Sequence, residues 1–129
     1  MTSDRLVECS FLIPTHRDQE LSDGELHSID AWNWLTDQLY GLFKAWTRVP
    51  GLHRGMWESA KTGKPVPDQS RRYIVAIPEA RIDELRRLLA EACSVFHQQC
   101  IYLSVAGQVE FVQAPLGGAA QESPGPEGP

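Results

Sequence analysis

Two stretches of the sequence carry apolar residues at helical spacing along one side only, and this pair constrains the fold more than anything else in the chain. In the first, Ile29, Trp32, Leu35, Leu39, Leu42, Phe43 and Trp46 make one stripe; in the second, Ile82, Leu85, Leu88, Leu89, Ala92, Val95 and Phe96 do. A stripe of this width predicts a helix that must bury one face against another layer. The first helix is expected over about 28–45. Ser28 is one candidate cap; a capping box of Ser22 and Glu25, stapled by Leu21 and Leu26, is the other. Gly24 weakens the earlier start by ~1 kcal/mol relative to Ala. Trp34 falls off the stripe, as a contact residue or a packed boundary residue. In the second helix Asp83 and Glu84 suit the positive end of the dipole, and Asp83 with Arg87 is oriented for an i,i+4 pair.

The segments around the helices read as strands. "RLVECSFLIP" (5–14) places Val7, Cys9, Phe11 and Ile13 on one face and Leu6, Glu8, Ser10 and Leu12 on the other. "LHRGMWES" reads weakly as a strand, and "AKTGKPVPDQS" as turn chemistry. "RRYIVAIP" (71–78) is a strand with Tyr73, Val75 and Ile77 on one face. "CIYLSVAGQVEFV" is a strand that turns at Ala106-Gly107, so 108–112 returns as an edge strand. The order strand, helix, strand, strand, helix, strand is that of an α+β, ferredoxin-like split βαβ sandwich. Both helices then cover one face of an antiparallel sheet. The other face, with Leu6, Leu12, Ile74, Ala76, Tyr102 and Val112 as its candidates, is left open. An open apolar face predicts self-association, as a homodimer. On "GMW", "SRRYIVAIP" and "VFHQQCIYL" leading into "GQVEFV", the chain resembles a small bacterial class of ferredoxin-like proteins over about 5–113. That resemblance implies the architecture and no particular activity.

The chain has 129 residues, which predicts one domain over 1–113. "APLGGAAQESPGPEGP" (114–129) is rich in Pro, Gly and Ala and reads as a disordered tail. The net charge of −5 argues against nucleic acid as a partner. Nothing reads as a signal peptide or membrane span. Three cysteines in no disulfide spacing fit a reducing compartment, so a cytoplasmic location is expected. No cofactor is expected, because GxGxxG, P-loop, HExxH and GxSxG patterns are missing.

Polar chemistry concentrates in 51–73. His53 and Trp57 fall on one side of the weak strand, Arg54 and Glu58 on the other, and Arg71 and Arg72 enter the next strand. Arg54, Trp57, Arg71 and Arg72 are candidate ligands for a small anion, through bidentate guanidinium contacts. His53, Glu58 and, at the end of the first strand, His16 are candidate general bases. The alternative makes the stretch a connection, with exposed ion pairs and Trp57 in the core. Cys93, His97 and Cys100 form C-x3-H-x2-C, which suits zinc or copper(I) if Cys9 or His16 completes it; the alternative is a small buried Cys93 and a His97 that meets the helix dipole. His97-Gln98-Gln99 is a ligand-binding run on one reading and a connector on the other. The expected function is a binding or regulatory module with an anion or small-ligand site around 53–72. The alternatives are an enzyme of the dimeric α+β barrel type, with His53 or His16 and Arg54 and Arg72 in a cleft, and a metal-binding protein.

Overall fold

Strand β1 (Leu6–Pro14) runs through the middle of the sheet in the computed structural model, which describes residues 5–115. Helix α1 (Ile29–Phe43) follows, then β2 (Thr47–Arg48), β3 (His53–Glu58) and the long β4 (Pro65–Pro78). A 3-10 turn (Glu79–Arg81) leads into α2 (Ile82–Val95), β5 (Cys100–Val105) and β6 (Gln108–Gln113). The sheet order is β2-β4-β1-β5-β6, with β3 also on β4, and every pairing is antiparallel. This is the ferredoxin-like α+β arrangement, with an added C-terminal edge strand.

Alternation decides which strand face the helices cover. Val7, Cys9, Phe11 and Ile13 of β1, Tyr73, Val75 and Ile77 of β4, and Ile101 and Leu103 of β5 are all buried. They meet Trp32, Leu35 and Leu39 of α1 and Leu85, Leu88, Leu89, Ala92 and Phe96 from α2 and its C-cap. Phe11 and Tyr73, opposed across the β1–β4 ladder, stack with centroids 5.5 Å apart. Each such large side chain contributes roughly 1.5–3 kcal/mol by leaving water. On the other sheet face Leu6, Val109 and Phe111 are exposed, and Leu12, Ile74 and Tyr102 are half-buried. Val112 opposes the buried Ile101 and so packs toward the helices, not on the open face.

Several details settle or correct the sequence reading. Ser28 is the cap: its Oγ accepts from Ala31 N–H at 3.3 Å, and the Ser22–Glu25 segment is not helical. α1 stops at Phe43 because Lys44 takes a left-handed conformation (φ 64°), which puts Trp46 outside the helix and leaves it 40% exposed. β4 starts at Pro65, six residues before 71. Pro65 and Pro67 are two apart, so both missing N–H groups lie on the edge away from β3, where no ladder bond is lost. Asp83 pairs with Arg86, one residue nearer than Arg87, at 2.7 Å. Ala114, placed in the tail by composition, packs on the core, and the rest of the expected disordered tail, 116–129, lies outside the described residues. Among the described residues no helix is long and apolar enough to cross a membrane.

Candidate functional site

A cleft of about 490 Å³ opens between the first turn of α1 and the edge of the sheet. Five parts of the chain build it. β4 contributes Gln69 and Arg71, β2 contributes Arg48, and the turn before β3 contributes Leu52. α1 contributes Ile29 and Trp32. The β1–α1 connection contributes Thr15, His16, Leu26 and His27.

The connection is a pinned flap rather than a loose loop. His16 and Leu26 form an isolated antiparallel bridge. The Arg17 guanidinium clamps the Asp23 carboxylate at 2.8 and 3.2 Å and also donates to Leu26 O at 3.0 Å. That clamp holds the Asp23 carboxyl down at about 2. Asp18 starts the tight turn by accepting from Glu20 N–H on its side chain, and from Ser22 N–H on its carbonyl. At the base, His27 is buried edge-on to Trp32 and Phe96 and its Nε2 donates to Pro14 O at 2.8 Å. Burial lowers its pKa, and the nearby Arg17, His97 and His16 lower it further. The bond to Pro14 O opposes this shift and places a proton on Nε2.

Arg71 sets the electrostatics. Its guanidinium carbon lies 3.9 Å from the centroid of the Trp32 ring, a cation–π arrangement that leaves the N–H edge of the fork free to face a ligand. Among the described residues neither Arg71 nor Arg48 has a carboxylate within ion-pair distance, whereas Arg17, Arg81 and Arg86 all do. His16, also in the lining, engages Thr15 Oγ1 through Nδ1 at 3.0 Å. The cleft thus presents two guanidiniums, one amide and two imidazoles, those of His16 and the buried His27, above an aromatic floor.

The structure divides the residues singled out in the sequence. Arg71 and His16 come together in the cleft. Arg72 lies on the opposite sheet face and donates to Ser10 Oγ at 3.4 Å. His53 pairs with Ser70 and Trp57 with Val66, so both also lie on the face away from Arg71. Trp57 is 38% exposed and lines a shallow 250 Å³ depression with Met56, Glu58, Gly63 and Pro65 at the end of the β3–β4 arm. Arg54 pairs with Gln69 and is exposed. Between His53 and Trp57, Gly55 admits Asp68 so closely that a Cβ would meet Asp68 Oδ1 at 2.9 Å, and burial raises the Asp68 carboxyl. The proposed grouping of His53, Arg54, Trp57, Glu58, Arg71 and Arg72 is therefore split by strand alternation.

The cysteine-histidine run does not converge. Cys93 is buried, donates to Val112 O at 3.5 Å, and burial pushes its thiol up to about 12. His97 is exposed and takes a left-handed backbone (φ 51°) just after α2, with Gln98 N–H reaching back to Cys93 O. Cys100 opens β5, and its thiol is likewise raised by burial. All three cysteines, Cys9 included, are free thiols, and among the described residues no three His, Cys, Asp or Glu side chains form a metal-holding group. Gln98 is buried, and its amide donates to His16 O and Phe96 O at 2.8 and 2.9 Å, bracing the flap. Gln99 reaches Asp18 and Glu20 on the same flap.

Seven cleft residues were not among the candidate site residues read from the sequence: Thr15, Leu26, His27, Ile29, Arg48, Leu52 and Gln69. Trp32 was assigned to the core, correctly for one face of its ring. The one signal in the sequence was Arg48 standing alone in "TRVPGL" between two elements, too ordinary to single out.

No protein-family model matches the chain, and no curated protein matches it significantly. Two solved structures are similar in fold. A phage SAM lyase in complex with S-methyl-5'-thioadenosine aligns with TM-score 0.63 and 15% identity, over 88% of this chain and 94% of that one. A phage SAM lyase in its apo state aligns with TM-score 0.58 and 14% identity, over 90% and 92%. At that identity the likeness is one of fold, spanning nearly the whole of both chains.

Proposed function

We propose that this chain is a small-ligand-binding domain whose cleft between α1 and the sheet holds an anion on Arg48 and Arg71, and that it self-associates through its open sheet face. One observation carries the first part: two arginines line the same cleft without a carboxylate partner among the described residues, one of them set over Trp32. A guanidinium that the protein leaves unpaired beside an aromatic floor is matched by a carboxylate or phosphate, which takes two parallel N–H bonds. Such charge-assisted bonds contribute ~1.5–3 kcal/mol each. Titrating the purified protein with phosphate and small carboxylates by calorimetry tests this. Arg71→Ala weakens binding roughly tenfold or more with little loss of stability. No heat with any anion, or equal affinity in Arg71→Ala and Arg48→Ala, overturns the reading.

The exposed Leu6, Val109 and Phe111 beside half-buried Leu12 and Ile74 support the self-association. Leu12→Glu then gives a monomer, and a monomeric native protein at micromolar concentration in light scattering refutes it.

A second reading, an enzyme acting on an S-adenosyl substrate, rests on the likeness to the phage SAM lyases. In this reading the cleft arginines take the carboxylate end, and His16 is the available base. The charges oppose it in part, since two guanidiniums repel a sulfonium. Incubation with S-adenosylmethionine and chromatography for S-methyl-5'-thioadenosine decides it: product above the uncatalysed background, lost in Arg71→Ala, would favour the enzyme.

A further inference from the structure

The mouth of the cleft is apolar in a way that an inorganic ion would waste. Leu26 is 62% exposed, Ile29 68% and Leu52 46%, and all three line the cleft that holds Arg48 and Arg71. Ile29 opens the apolar stripe of α1, whose later members Leu35 and Leu39 are fully buried; it is a stripe position that the fold leaves uncovered here. Leu26 is not a floppy loop residue. Its backbone is fixed by the bridge to His16 and by the Arg17 guanidinium on its carbonyl. The cost of presenting these side chains to water is recovered only if something apolar covers them. The volume of about 490 Å³ sits in the range of small-molecule sites, far above what a phosphate or acetate fills.

From these observations, and resting on the anion reading above, we infer that the ligand is an amphipathic organic acid: its carboxylate engages Arg71 and Arg48, and its apolar body lies across Leu26, Ile29 and Leu52. The two arginines sit at the sheet edge and the three exposed apolar side chains on the flap, the helix and the turn before β3, so head and body bind different parts of the cleft. The fork of Arg71, with one face against Trp32, gives the head its orientation. The rim gives affinity that grows with the size of the body.

The test is a series of straight-chain carboxylates from acetate to octanoate, titrated by calorimetry into the full-length protein, with inorganic phosphate as a head-only probe. Each methylene that becomes buried tightens binding roughly threefold to fourfold, so affinity climbs along the series until the rim is covered. Ile29→Ser and Leu52→Ser flatten that climb and leave phosphate binding unchanged; both positions are exposed, so the fold tolerates them. Arg71→Ala weakens every member by a similar factor. Phe111→Ser, on the open sheet face, changes nothing. A flat series, with phosphate still bound through Arg71, overturns the amphipathic ligand and leaves the anion site standing. A climb that survives Ile29→Ser and Leu52→Ser, or that Phe111→Ser abolishes, places the body elsewhere and also overturns it. No binding by phosphate or any carboxylate removes both readings together.

Discussion

Arg86 and Arg71 are both half-buried arginines on the helix-covered side of the sheet, and they are treated oppositely. Arg86 on α2 is saturated. It donates to both oxygens of Glu110 on β6 at 2.8 and 3.0 Å and to Asp83 at 2.7 Å, and these carboxylates push its pKa further up. Arg71 has an aromatic ring under it and, among the described residues, no carboxylate beside it. At the α2–β6 edge the arginine ties an added strand to a helix, so its bonds are spent on the fold. At the α1 cleft the fork is left with unused donors, and an unused guanidinium in a concave site is a recognition element more readily than a structural one. The same fold thus keeps one charged end closed and the other receptive.

The comparison breaks most visibly at the floor of the cleft. Trp32 is 7% exposed and contacts His27, Phe96 and Arg71, so Trp32→Ala should destabilise by ~3–5 kcal/mol in a urea melt. Trp57→Ala, at the exposed β3–β4 arm, should cost about 1 kcal/mol or less. The reverse ranking would put the core at the arm and leave the cleft without a rigid floor.

Acid should open the cleft end before the closed end. The pKa of His27 is lowered in the folded chain, so the unfolded chain binds the proton more readily. The stabilisation is fully present above the unfolded value, near pH 6.5, and is lost as pH falls below that toward the folded value. The slope from this one proton is at most ~1.4 kcal/mol per pH unit. His27→Gln keeps a donor for Pro14 O and should flatten the change in stability between about pH 7.5 and about pH 5.5. A native protein equally stable at both would show that His27 does not govern the flap.

Salt separates the two arginines. Arg86→Ala strands the exposed Asp83 and half-buried Glu110 carboxylates and should cost about 1 kcal/mol, with the loss shrinking at high ionic strength. Arg71→Ala removes a cation–π contact and should cost about 0.5–1 kcal/mol, with no comparable salt dependence. Equal salt sensitivity would mean that Arg71 has a carboxylate partner after all. The smallest expected effect sharpens the closed end. Ala106 and Gly107 both have positive φ in the two-residue turn that sets Glu110 opposite Leu103. Asn tolerates that conformation better than Ala, so Ala106→Asn should stabilise by roughly 0.5 kcal/mol, less than the full ~1–2 kcal/mol left-handed penalty. An unchanged melt would show that the turn stores no strain.

Much of this was written in the chain itself. Two one-sided stripes and strands of period two leave few packings, and they specify the layers, the buried faces of β1, β4 and β5, the second helix, and the return strand after Ala106-Gly107. Ser28 as cap was a competitor decided by backbone geometry, and the extra length of β4 was hidden because prolines on an unpaired edge look like turn residues. The site was less legible. Arg71 and His16 were visible as chemistry, yet their company was not, because neighbours across a sheet depend on register and one residue of phase moves a side chain to the other face. That phase separates Arg71 from Arg72, His53 and Trp57, and no local pattern encodes it. Arg48 comes from a two-residue strand, and Leu26 and Leu52 from connections, whose conformations are fixed by contacts far along the chain, such as Arg48 paired with Tyr73 and Gln98 with His16 O. The sequence by itself determined which surfaces had to be buried, since apolar periodicity is a local property. Only the tertiary structure decided which charges were left over, since pairing is a property of distances between residues that the chain order does not carry.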